Sequence, residues 1–164
     1  MDVLIRRARP DDREVLGRLG ASLMRAHYAF DERRFLAPGD HAESGYAAFL
    51  ETQLTSADSL VLVADRTADG EPAAVIGYVY AGVEPLSWKE LRGPAGFIHD
   101  LLVSDEARGL GIGERLLEAA VAWLTGRGVP RVMLWTASPN VGAQRLFQRH
   151  GFRPTMVEMT RDVE

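Results

Sequence analysis

The stretch Arg108-Gly109-Leu110-Gly111-Ile112-Gly113 constrains the fold more than any other part of the chain. It separates an apolar run, Phe97 to Val103, from a helix-like run, Glu114 to Thr125. Ile112, Leu116, Ala120 and Leu124 fall at four-residue intervals and mark the packed face of that helix. Strand, glycine turn and helix in this order make a nest for an anion. Glycines remove side-chain bulk, so the N–H groups of the turn can close on phosphate oxygens. The helix adds its unpaired N-terminal N–H groups and the positive end of its dipole. Gly111 and Gly113 are expected to take positive φ without steric cost. Arg108 supplies a formal positive charge at the mouth of the nest. Two other phosphate motifs are excluded. Glu114 and Arg115 follow the last glycine, where a Walker loop needs Lys and then Ser or Thr. Gly-Leu-Gly-Ile-Gly also has the wrong spacing for a dinucleotide fingerprint and lies late in the chain.

The rest of the chain supplies alternating helices and strands. Val3-Leu4-Ile5 reads as a first strand, and Pro10-Asp11-Asp12 starts a helix with Asp11 as the expected N-cap or first-turn acid. Val15, Leu16, Leu19, Leu23 and Ala26 continue it at helical spacing up to His27-Tyr28-Ala29-Phe30. A second helix is expected over Ser44 to Leu54, after the Pro38-Gly39 turn. Leu60 to Ala64 and Ala74 to Val83 read as a hairpin about Thr67-Ala68-Asp69-Gly70, followed by a loop from Pro85 to Pro94. After the glycine turn and its helix come a strand over Arg131 to Trp135, a short helix from Ser138-Pro139-Asn140 to His150-Gly151, and a last strand over Phe152 to Thr160. The order β-α-α-β-β-β-α-β-α-β makes an α/β or α+β sandwich.

At 164 residues the chain is expected to form a single domain, 1–164, large enough to bury ~70% of its unfolded surface without staples. It has no cysteine, which excludes a disulfide scaffold, a thiolate metal site and a cysteine nucleophile. A formal charge of −4 argues against a nucleic-acid surface. No apolar run approaches membrane-spanning length and Met1-Asp2 opens no signal peptide, so no membrane partner and a cytoplasmic location are expected. The histidines are dispersed, and no metal is expected.

Arg108 to Gly113, following Phe97 to Ala107, has the form Arg-x-x-Gly-x-Gly and resembles the acyl-CoA pyrophosphate loop of the GNAT superfamily of N-acetyltransferases. The element order matches that family over nearly the whole chain. The resemblance implies a mixed, mostly antiparallel central sheet flanked by helices, with a splay between the two central strands that admits the cosubstrate. Ser138 to Phe152 resembles a second family signature, in which Asn140, Ala143, Phe147, Gly151 and Phe152 hold the matching places. By that resemblance Arg108, Gly109, Leu110, Gly111, Ile112 and Gly113 bind acetyl-CoA, together with Leu101, Leu102 and Val103, Asn140, Ala143 and Phe147. Asn140 would bond the pantetheine arm; read from the residues alone it is a helix N-cap. Many relatives carry a tyrosine where this chain has Phe147, and phenylalanine cannot protonate a departing thiolate. Another group such as Ser138 would have to serve, or the thiolate leaves unassisted.

The implied reaction moves an acetyl group from acetyl-CoA to a primary amine, either a small molecule or a protein N-terminus, by direct attack. It needs a positioned cosubstrate, a backbone N–H near Leu101 to Val103 that polarises the thioester carbonyl, and a base that takes the ammonium proton. Glu84, His99 and Asp100 are the candidate bases. By strand alternation His99 and Asp100 face opposite sides of the sheet, so one of them at most is expected in the site. Asp100 interrupts an apolar strand, and His99 has the better intrinsic pKa for the task. The family holds its acceptor with the first two helices and nearby loops, here His27, Tyr28, Phe30, Glu32, Tyr46 and Trp88. A non-catalytic acyl-CoA-binding or sensing module on the same fold is the alternative, and homodimers are common among relatives.

Overall fold

The computed structural model describes residues 2–67 and 73–163 and forms a five-stranded sheet with helices on both faces. In chain order the elements are β1 (Asp2–Arg7), α1 (Arg13–Phe30), α2 (Ala42–Leu54), β2 (Ser59–Thr67), β3 (Ala74–Glu84), β4 (Ala95–Val103), α3 (Ile112–Gly126), β5 (Val132–Leu134) and α4 (Val141–Arg149). The strands lie side by side in sequence order. β1 to β4 are antiparallel, and β5 runs parallel to β4. Both faces are buried because the strands carry apolar residues on both sides. Ile98, Leu116, Leu117 and Leu124 pack in the α3 layer, and Leu16, Leu50, Val63 and Leu102 pack in the α1–α2 layer.

Two glycines of α1 set how closely α2 approaches. A Cβ on Gly17 would stand 2.5 Å from the Glu43 carbonyl oxygen, and one on Gly20 would stand 2.0 Å from the Tyr46 ring. The bare face of α1 therefore accepts Tyr46 and aims its hydroxyl at the sheet.

β5 is short, and this opens the edge of β4. The two strands pair only through Gly96, Phe97 and Ile98. The Ser104 N–H donates to the Ile76 carbonyl at 2.9 Å, so by alternation Leu102 also faces β3. Leu101 and Val103 then turn their backbone N–H and C=O the other way, towards a β5 that has already ended at Leu134. This is the splay, and it lies between the last two strands of the sheet.

One expectation is corrected and one is narrowed. No strand forms over Phe152 to Thr160; that segment has no regular structure and is tied to the α1–α2 loop by Arg34 with Glu158, while Asp162 just beyond it pairs with Arg33. Asp11 is a first-turn acid of the short turn Pro10–Asp12 but not the cap; Asp12 closes the entry to α1, its Oδ2 accepting the Arg9 N–H at 2.7 Å, and Arg6 grips it at 2.7 and 2.9 Å. The hairpin turn expected at Thr67-Ala68-Asp69-Gly70 lies, after Thr67, outside the described residues. Among the described residues no helix is long and apolar enough to cross a membrane.

Candidate active site

The turn after β4 is built by its glycines, though not by the pair expected. Gly109 and Gly111 take positive φ, +76° and +74°, while Gly113 lies in the first turn of α3. A Cβ on Gly109 or Gly111 would meet nothing within 4 Å, so backbone conformation and not crowding demands glycine there. Among the described residues, the N–H groups of Gly109 to Glu114 donate to no intrachain acceptor; the first bonded amide is that of Arg115, to the Gly111 carbonyl. Six consecutive free donors at the positive end of a fifteen-residue helix suit an anion such as a pyrophosphate. Arg108 is exposed at the rim and pairs with Asp105 at 2.7 Å, within reach of the same space.

α4 begins at Asn140, whose side-chain oxygen accepts the Ala143 N–H at 3.3 Å. The cap uses Oδ1, and Nδ2 has no partner among the described residues. Phe147 is buried and meets Phe152 edge-on at 6.0 Å. It belongs to the core of the α3 face and offers no proton. Ser138 is exposed before α4.

On the opposite face of the sheet, β4 departs from the alternation expected of it. Tyr80 pairs with Asp100 and Ala81 with Ile98, so His99 is the extra residue of a β-bulge. The bulge turns His99 and Asp100 to the same side, against the expectation that they would face apart. Both line one cleft of about 660 Å³ between α1, the α1–α2 loop, α2 and β4.

Asp100 Oδ2 accepts the Tyr46 hydroxyl at 2.5 Å and the Tyr78 hydroxyl at 3.0 Å, and Oδ1 has no donor among the described residues. Burial pushes the Asp100 carboxyl above its usual pKa, against the pull of the two phenols. Burial and the nearby carboxylate push both phenols up as well, so they stay protonated donors. His99 is stacked between Tyr80 at 4.8 Å and Phe97 at 5.5 Å. Its Nε2 lies 3.3 Å from Glu84 Oε1, and Glu84 Oε2 is held by Arg92 at 2.6 Å. Burial lowers the imidazole pKa, and the Glu84 charge only partly offsets it, which leaves a neutral ring at pH 7. Of the three candidate bases, Glu84 and His99 are in direct contact, and Asp100 lines the cleft beside His99.

The expected acceptor residues separate. His27 and Tyr46 line the cleft, the former with Nδ1–H donating to the Leu23 carbonyl at 2.9 Å. Tyr28, Phe30 and Glu32 border a different crevice at the end of α1, and Trp88 is 84% exposed on the β3–β4 loop, away from both. Sequence reasoning missed Phe49, Tyr78, Gly20 and Arg92. Tyr78 and Tyr80 read as strand apolars, and nothing local in β4 signals a bulge, since no Gly or Pro stands at it.

A family model described as the acetyltransferase (GNAT) family matches residues 21–152. Mycothiol acetyltransferase of Stackebrandtia nassauensis is 35% identical over 96 residues, 56% of this chain and 28% of that protein. Glucosamine 6-phosphate N-acetyltransferase 1 of Oryza sativa subsp. japonica is 37% identical over 94 residues, 56% of this chain and 53% of that protein. The matched region thus spans between about a quarter and a half of the length of these two relatives. Aminoglycoside N-acetyltransferase AAC(6')-Iy, solved in complex with CoA, superposes with a TM-score of 0.72 at 20% identity, over 99% of this chain and 95% of that one, which is a likeness of fold. With the family match running from the middle of α1 to the end of α4, this chain belongs to the GNAT family of acetyltransferases.

Proposed function

We propose that the protein transfers an acetyl group from acetyl-CoA to a primary amine by direct attack of the amine. The observation that carries this reading is the bulge at His99. It sets an imidazole and a carboxylate side by side at the end of a cleft, on the strand whose backbone β5 leaves unpaired.

Acetyl-CoA, when bound, supplies the acetyl group as a thioester. The amides of Gly109 to Glu114 and the Arg108 guanidinium hold its pyrophosphate. The backbone groups of Leu101 and Val103 hold its arm along the open edge of β4 and present an N–H to the carbonyl. Leu102 contributes packing, and Asn140 Nδ2 offers one further donor. On the cleft side, Asp100 Oδ1 receives the ammonium while Tyr46 and Tyr78 hold the carboxylate still. His99 takes the proton at Nδ1, the ring nitrogen that Glu84 does not engage, and Glu84, pinned by Arg92, fixes the ring. The thiolate leaves without a proton from Phe147, which is tolerable because a thiolate is a far better leaving group than an amine.

The test pairs calorimetric titration of acetyl-CoA with an assay of CoA thiol release on a panel of amines, for the wild type and for Gly111→Glu. Binding and amine-dependent release, both lost in the variant, are expected. Amine-dependent release that survives Gly111→Glu unchanged would overturn the assignment of the turn. The second reading, an acyl-CoA-binding module without turnover, is favoured by Phe147; binding with no release on any amine would support it.

A further inference from the structure

We infer that the acceptor is a small primary amine with an apolar body about the size of an aromatic ring, and neither a sugar phosphate nor a polycation. This rests on the acetyl-transfer reading above and names the substrate class of that site. The cleft, at about 660 Å³, is far larger than a bare alkylammonium needs and lies within the usual range for a small organic ligand. Its walls are Leu23, Met24, Phe35, Leu36, Ala42 and Phe49, with no lysine or arginine among the lining residues. Leu36 and Phe49 are 76% and 43% exposed, apolar surface that a ligand's apolar body would cover.

Charge decides against the two polar classes. The formal charges that line the cleft are both negative, Asp100 at the reacting end and Asp40 on the α1–α2 loop. A phosphate would meet two carboxylates and no lysine or arginine. The arginines of that loop do not line the cleft; Arg33 pairs with Asp162 and Arg34 with Glu158. A polycation could set one ammonium at Asp100 and a second at Asp40, and would leave any further charge against leucine, methionine and phenylalanine, which is costly without partners. One ammonium at Asp100 and a ring against Phe49 and Leu36 leaves no polar group of the ligand unpaired.

The reaction balances without a further reagent. The ammonium gives one proton to His99, and the freed nitrogen forms the C–N bond as the thioester C–S bond breaks. The second N–H proton passes to solvent or to the departing thiolate, so the products are the N-acetyl amide, CoA thiol and one proton.

The experiment measures kcat/KM for thiol release with ethylamine, 2-phenylethylamine, glucosamine 6-phosphate, kanamycin and a leucine-initiated pentapeptide. Binding of 2-phenylethylamine is followed separately by calorimetry. Burial of the ring predicts that 2-phenylethylamine exceeds ethylamine by roughly 10- to 100-fold. It should exceed glucosamine 6-phosphate and kanamycin by at least about as much, since each sets unpartnered charge against apolar walls. Leu36→Asp, on a side chain already exposed, is expected to cut that preference about tenfold by removing apolar contact. Faster turnover of the sugar phosphate, the polycation or the peptide overturns the substrate class and leaves acetyl transfer standing. Binding of 2-phenylethylamine in the cleft with no release from any amine supports the cleft's preference and overturns the acetyl-transfer reading.

Discussion

The turn after β4 and the cleft under α1 and α2 are served by the same strand, yet they are specified in different ways. The turn is local. Its geometry follows from Gly109 and Gly111 at positive φ and from a helix that starts at Ile112, all within a few residues of one another. The cleft is assembled from parts far apart in sequence. Tyr46 reaches Asp100 from 54 residues away because Gly20 clears its path, Tyr78 reaches it from 22 residues away on β3, and Arg92 fixes Glu84 from a loop. A local anion nest can be transplanted between acceptor specificities unchanged, whereas the cleft depends on how two helices and two strands happen to pack.

The largest effect is expected on the cleft side. His99→Gln should lower kcat/KM for the amine by about 10³-fold, the usual scale of lost general-base catalysis, and leave acetyl-CoA affinity within twofold by calorimetry. Gly111→Val does the reverse. A β-branched residue at φ +74° strains the turn, and acetyl-CoA affinity should fall roughly 30- to 100-fold while amine binding holds. Should either variant damage both affinities equally, the two regions are not separable and the comparison fails.

Gly20→Ala sharpens it. The added methyl collides with the Tyr46 ring, and overpacking of this kind costs about 1–3 kcal/mol in unfolding free energy. Because Tyr46 carries a hydrogen bond to Asp100, the amine kcat/KM should fall as well, with acetyl-CoA binding untouched.

The smallest effects on stability concern two aspartates whose pKa values shift in opposite directions. Asp12 is held below its usual pKa of 3.8, mainly by its hydrogen bond from Arg6. The stability it contributes is full above the unfolded value and is lost as pH falls through the lower, folded one, so denaturant midpoints of wild type and Asp12→Asn should converge as pH falls well below 3.8. Asp100 is raised instead by burial. Its ionised form costs stability once pH rises past the unfolded value, so Asp100→Asn should melt at the same temperature or higher at pH 7 while losing amine turnover. A variant that melts lower and keeps its turnover would make Asp100 a structural residue.

What could be read from the chain follows the same division. The run Phe97 to Gly113 carries its own strand, turn and helix signals, and the elements up to α4 lie close to where periodicity puts them. The apolar alternation of Phe152 to Thr160 reads as a strand, but a strand needs a neighbour, and no described segment pairs with it. The bulge at His99 was illegible for a related reason. It arises from the register between β3 and β4, and strict alternation, the only rule available from sequence, assigns His99 and Asp100 to opposite faces. The family resemblance assigns Trp88 to the acceptor site through its loop; that the loop stands exposed and apart from the cleft is a tertiary fact.

The most direct test of the account is the pH dependence of kcat/KM for 2-phenylethylamine with wild type and His99→Gln. If Asp100 receives the ammonium and His99 takes its proton, the wild-type rate should rise through a pKa below the ordinary imidazole value of 6.5 and level off by neutral pH, where the free amine is still almost wholly protonated. His99→Gln should lack that limb. A wild-type rate that keeps rising about tenfold per unit through pH 8, following the neutral amine in solution, would contradict the account.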